Sequence, residues 1–220
     1  VDSENLELVK FLIEHDLVDL LAKDKDEETV LHVASESASK LPILQYLITL
    51  KKFDINEKND SGRTPFFNSV YYQNMQMVKY LLTLPEVDIT IQDSSGNNVI
   101  HSACNDGNFA LVQLLMSQKK KIDLKQVNSD KETPLHLACT NKNLDLIKYL
   151  CDKKNKIDLN AVNDSGENAL HIACEKGNFE IVKYLISLDK INLTHKNDDK
   201  ETILHKACYS GNHELVKYLV

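Results

Sequence analysis

A chain of 220 residues with 42% hydrophobic side chains carries enough apolar material for a packed core. Its net charge of −7 and pI near 5.6 argue against a nucleic-acid partner, which needs a clustered basic face. No apolar run approaches the ~18 residues of a membrane span, and no charged stretch followed by an apolar signal core opens the chain, so neither direct membrane insertion nor secretion is expected.

In chain order, Asn5-Leu6-Glu7-Leu8-Val9-Lys10-Phe11-Leu12-Ile13 has the apolar spacing of an amphipathic helix and parallels Asn178 to Ile186. Thr29-Val30-Leu31-His32-Val33-Ala34 then opens a pattern that returns. It recurs as Asn98-Val99-Ile100-His101-Ser102-Ala103 and Thr133-Pro134-Leu135-His136-Leu137-Ala138. It recurs again as Asn168-Ala169-Leu170-His171-Ile172-Ala173 and Thr202-Ile203-Leu204-His205-Lys206-Ala207. Thr64-Pro65-Phe66-Phe67-Asn68-Ser69 keeps only its first two residues. The starts are about 34–35 residues apart, a fixed period that marks a repeat array.

Within each unit the same signals follow one another. Asn163-Asp164-Ser165-Gly166 and Asn59-Asp60-Ser61-Gly62 are turn chemistry. Thr133 can cap a first, short helix with Pro134 at its first position. Gly177-Asn178 ends that helix in its unit, as Gly107-Asn108 and Gly211-Asn212 do in theirs. A second helix follows, with Phe179, Val182, Leu185 and Ile186 on one apolar face and Lys183 turned away. Linkers such as Lys156-Ile157-Asp158-Leu159-Asn160 lead to the next turn.

This succession, with its T-P-L-H-x-A signature, resembles the ankyrin repeat over nearly the whole chain. Tetratricopeptide repeats share the length, but their tryptophan-based pattern is absent and the chain has no Trp. The resemblance implies an all-α repeat solenoid, a stack of helix-turn-helix units with projecting β-hairpin loops. It divides the chain, as one ankyrin domain, into a C-terminal half repeat at about 1–22 and repeats at about 23–57, 58–91, 92–126, 127–161, 162–195 and 196–220, the last incomplete. Neither end shows the polar outer face of a terminal cap, so a piece of a longer array and end-to-end self-association through the uncapped ends are both expected. Lys131 and Lys200 stand where the turn glycine belongs, and Ser37 to Pro42 holds an extra residue.

The likeness also implies that hairpin tips and first helices form a concave surface that binds another protein. Its exposed positions would include Arg63, Tyr71, Tyr72, Asn105, Asp106, Glu132, Asn141, Glu167, Glu175, Lys176, Glu201 and Tyr209. Glu132, Glu167 and Glu201 hold one position in three consecutive units and would form an acidic stripe. The second full unit breaks the pattern: Phe67 replaces the histidine and Ser69 the alanine, with Tyr71 and Tyr72 on the groove side beside Arg63. Two readings stand for that break, a binding hot spot or a worn repeat whose aromatics fill a core.

Catalytic and metal chemistry find no footing. His32, His101, His136, His171 and His205 come once per unit and cannot converge within ~2.0–2.3 Å of one ion. The resemblance gives this histidine the role of tying adjacent loops by hydrogen bonds. Cys104, Cys139, Cys174 and Cys208 recur at one position and, with packed helices ~8–10 Å apart, read as small buried thiols of a reducing, cytoplasmic setting. Cys151 makes a fifth. The runs Lys119-Lys120-Lys121 and Lys153-Lys154-Asn155-Lys156 read as solvated loop charges, and there is no GxGxxG, GxxxxGK[ST] or HExxH. No cofactor is expected. The expected function is a non-catalytic protein-interaction scaffold; the alternative is the recruitment or regulatory arm of a larger enzyme or channel.

Overall fold

The repeat begins in a turn held by one side chain. Asn59 Oδ1 accepts from the Arg63 N–H at 2.9 Å, and the Asn59 N–H donates back to the Arg63 carbonyl at 3.0 Å. Asp24, Asn128, Asn163 and Asn197 close their turns on Glu28, Glu132, Glu167 and Glu201 in the same way. The fourth residue of each turn takes a left-handed conformation. At Gly62 a Cβ would meet the Ser94 backbone nitrogen at 2.6 Å, whereas Lys131 and Lys200 adopt positive φ despite their side chains.

The computed structural model describes residues 3–118 and 122–220, with side chains from Leu6 onward; the Lys119–Lys121 run lies outside them. Sequence reading treats residues 1–220 as one array. In the structure they gather into two compact units, Val1–Ser94 and Ser95–Val220.

In the first unit, α1 (Ser3–Glu14) is followed by the pairs α2 (Val30–Ser35) with α3 (Leu41–Thr49) and α4 (Pro65–Tyr71) with α5 (Met75–Leu81). A 3-10 turn, Ala38–Lys40, absorbs the extra residue between α2 and α3. Leu31, Leu44, Leu47, Phe66, Phe67, Val70, Met77, Val78 and Leu81 form the core. An apolar cleft of about 680 Å3 stays open between α1 and α2, lined by Leu8, Leu12, Ile13, Val30, Val33 and Leu47.

The second unit stacks four pairs: α6 (Val99–Asn105) with α7 (Phe109–Met116), α8 (Pro134–Ala138) with α9 (Leu144–Leu150), α10 (Ala169–Glu175) with α11 (Phe179–Ile186), and α12 (Ile203–Tyr209) with α13 (His213–Leu219). Small residues at 103, 138, 173 and 207, all alanine and all fully buried, let the first helices approach closely. The buried face of α11 is Ile181, Val182 and Leu185, while Phe179 and Ile186 are only half-buried, so the apolar face expected from spacing is rotated by part of a turn. The projecting loops are turns rather than paired strands; among the described residues they hold one isolated bridge, between Val162 and Asn168.

The asparagine that precedes the second helix at positions 74, 108, 143, 178 and 212 does more than follow a helix end. At 74, 108, 143 and 212 its side chain caps the second helix, with Asn143 Oδ1 accepting from Leu146 N–H at 3.0 Å. Its amide donates to the preceding repeat: Asn74 to Ser35, Asn143 to Gly107, Asn178 to Cys139 and Asn212 to Gly177.

Ile147, Leu150 and Leu185 are buried between helices, so truncation of each to Ala is expected to cost about 2–5 kcal/mol by chemical denaturation. Exposed Lys148 and Lys183 should tolerate Ala within about 0.5 kcal/mol. Equal losses at the two kinds of position would refute this packing.

Candidate functional site

The recurrent histidine is buried at positions 32, 101, 136 and 171 and exposed at 205; His32, His101 and His136 are bonded at both ring nitrogens, whereas His171 Nε2 is buried without a hydrogen bond. At His136, Nδ1 accepts from the Thr133 N–H at 3.1 Å, and Nε2–H donates to the Glu167 carbonyl of the next turn at 3.2 Å. His32 does the same with Thr29 at 3.1 Å and Arg63 at 2.9 Å, and His101 Nε2 reaches the Glu132 carbonyl at 3.2 Å. Beside these ties, backbone bonds join neighbouring turns. Asp60 donates to Asp26 and Ser94 to Ser61 in the first unit; Ser129 to Ser95, Asp164 to Asp130 and Asp198 to Ser165 join them in the second. Among the described residues no three His, Cys, Asp or Glu side chains are placed to share a metal ion.

Phe67 takes the histidine's place in α4 and is 1% exposed beside Phe66. The aromatics therefore do fill a core, yet Tyr71 and Tyr72 remain 44% and 49% exposed. They pack edge to face at 5.3 Å, and the Arg63 guanidinium lies 3.7 Å from the Tyr71 ring centre. Arg63 Nε is buried without a hydrogen bond, 4.0 Å from the Asp93 carboxylate. Under this layer Glu28 Oε1 accepts from Asn59 Nδ2 at 2.9 Å and from buried Asn68 Nδ2 at 3.0 Å. Partial burial, with the carboxylates of Glu36 and Glu28, holds the Tyr72 phenol above its ordinary value.

The expected acidic stripe is not an open one. Glu167 is buried, and its carboxylate meets Lys206 Nζ at 2.5 Å. Glu201 lies 3.1 Å and Glu175 3.7 Å from the same ammonium. Burial would lower the Lys206 ammonium, but its bonds to Glu167 and Glu201 outweigh that and raise it. Glu201 also accepts from Tyr209 Oη at 2.8 Å and from Asn197 at 3.0 Å; these bonds, the tyrosine's first, hold it down to about 2. Glu132 is half-buried and accepts from Asn128 at 3.1 Å. Lys206, in the variable place of the L-H-x-A core, was missed; its signal was a charge where Val33, Leu137 and Ile172 are apolar.

Compared with known families, the chain matches the model described as Ankyrin repeats (3 copies) at residues 1–93, 36–126, 69–163, 100–195 and 154–220. The chain belongs to the ankyrin-repeat family. No curated protein sequence matches it significantly. Ankyrin repeats generally mediate protein–protein interaction. No described helix is long and apolar enough to cross a membrane.

The remaining candidate positions of these ankyrin repeats divide by what their side chains do. Asn105 and Asp106 end α6 exposed, and partial burial raises the Asp106 carboxyl. Asn141 is committed to structure: its amide donates to the Cys104 carbonyl at 2.9 Å and its oxygen accepts from Asn143 N–H at 3.0 Å. Glu175 and Lys176 are exposed at the end of α10, and Tyr209 is 68% exposed on α12. Cys104, Cys139 and Cys174 are buried and unpaired. Burial pushes Cys104 and Cys139 well up and Cys151 and Cys174 to about 12, so all four are neutral thiols near pH 7. Cys208 departs from the expected burial and is exposed.

Burial lowers the imidazoles of His32, His136 and His171 below their unfolded value of about 6.5. The unfolded chain therefore binds more protons below that value. The stability these groups contribute is complete above about pH 6.5 and is lost as pH falls toward their folded values. Melting temperatures should accordingly drop between about pH 7 and pH 5, and His136→Gln should flatten part of that drop. A melting temperature constant over this range would contradict neutral, bonded imidazoles.

Proposed function

We propose that this chain is a non-catalytic interaction module that holds a partner protein on the Tyr71–Tyr72 face of its first unit. The observation that carries the reading is the aromatic pair itself. Two adjacent tyrosines are nearly half exposed on a first helix whose other side chains, Pro65 to Val70, are all buried. Tyrosine is enriched among residues that dominate interface energies, and here Arg63 and the turn beneath fix its orientation before any partner arrives. The neutral, unpaired thiols suit a reducing, cytoplasmic setting.

Tyr72→Ala is expected to weaken the partner complex by more than about 1 kcal/mol, measured by calorimetry, while leaving the melting curve in place. Arg63→Ala should also weaken binding, but with some loss of stability, because Arg63 stacks on Tyr71 and approaches Asp93. Wild-type affinity in Tyr72→Ala would remove the face from the proposal.

The open apolar cleft between α1 and α2 favours a second, separate mode, association between copies of this chain. Sedimentation should show a concentration-dependent dimer that Leu12→Asp abolishes; a monomer at every concentration would refute it.

A further inference from the structure

The charge of the chain is divided unevenly. Residues 1–94 hold 17 Asp and Glu against 9 Lys and Arg, a net −8, and residues 95–220 hold 16 against 17, a net +1. The excess acid therefore lies wholly in the unit that carries the tyrosine pair, not in the repeats of the expected glutamate stripe. Two of those carboxylates belong to the pair's own surroundings. Glu28 occupies the repeat position that Arg63 holds in the next unit, and Glu36 the position of Tyr71. Both hydrogen bonds to Glu28 fall on Oε1, which leaves Oε2 for an incoming donor. Glu36 uses Oε2 for Lys40 at 2.9 Å.

The nearby cations are already engaged. The Arg63 guanidinium lies on Tyr71, and Lys40 Nζ is shared between Glu36 and the Val33 carbonyl at 3.0 Å. An acidic partner would meet few uncommitted cations and a net negative field. A cation would meet an exposed tyrosine ring with carboxylates beside it, the arrangement that favours both ring-face contact and electrostatic steering.

We propose that the Tyr71–Tyr72 face takes a basic peptide segment of the partner protein, with an arginine or lysine side chain laid on Tyr72 and countered by Glu28 and Glu36. This rests on the docking face proposed above and names the class of chain it accepts.

The test uses the full chain, immobilised, and a synthetic random peptide library sequenced before and after capture. Arg- and Lys-containing peptides should be enriched and acidic ones depleted. The best binder, followed by fluorescence anisotropy, should lose affinity about tenfold or more with Tyr72→Ala. It should lose about threefold or more with Glu28→Gln/Glu36→Gln, and weaken steadily with added salt. Glu28→Gln keeps an oxygen to accept from Asn59 and Asn68, so its melting curve should stay in place; the salt series needs no variant at all. Enriched peptides without basic residues that still depend on Tyr72 would overturn the basic class and keep the face. Basic peptides indifferent to Tyr72→Ala would overturn both. No enrichment of basic peptides, or no response to the double Gln variant and to salt, would overturn the inference alone.

Discussion

The structure depends on hydrogen bonds that neutral imidazoles make between a repeat and the turn of the next, at His32, His101 and His136. The histidine sits in the first turn of a short helix, accepts from the capping residue's backbone and donates about 31 residues onward in sequence to a carbonyl that has no helix to serve it. The turn, the cap and the helix start are thereby fixed together, and the backbone bond from one turn to the next sets the spacing of the stack. Helices of five to nine residues, too short to persist alone, are held by this framework and by burial of alanine and leucine between them. The asparagine that opens most second helices and bonds to the previous repeat supplies the matching tie at the opposite end of the first helix.

Most of this was legible because each feature repeats. One His or one Asn is ambiguous; the same residue at the same place in successive units has a periodic cause, and packing is the periodic cause available. What did not repeat was harder to read. Phe67 signalled a break, but only the structure shows that the break serves core and surface at once, Phe66 and Phe67 inward, Tyr71 and Tyr72 outward. The glutamates at 132, 167 and 201 were legible as a register and misread as a free surface. Whether a carboxylate is open depends on what reaches it from the next repeat, and Lys206 reaches both Glu167 and Glu201. The same register, followed three units further back past Asn97 and Arg63, leads to Glu28 and so to the acid beside the tyrosines.

Function in such an array resides where a side chain is released from the stack's own requirements. In the second unit of the chain the polar groups on the first-helix side are largely spent on each other: Asn141 on a carbonyl, three carboxylates on one ammonium, Tyr209 on Glu201. In the first unit the hydrogen bonds of Glu28 and the stacking of Arg63 support a pair of tyrosine rings that remain open to solvent. Polar contacts therefore consolidate one unit and hold an exposed aromatic pair in the other, and it is this contrast, with the negative charge of the first unit, on which the proposed docking face rests.

The central claim, that neutral histidines with a defined tautomer tie their repeats to the next turn, can be observed directly. Long-range proton–nitrogen spectra of the imidazoles should show His32 and His136 protonated at Nε2 only, with Nδ1 an acceptor, and should show this state persisting below about pH 6.5, where a free histidine charges. A proton on Nδ1 instead, or imidazolium near pH 7, would contradict the account.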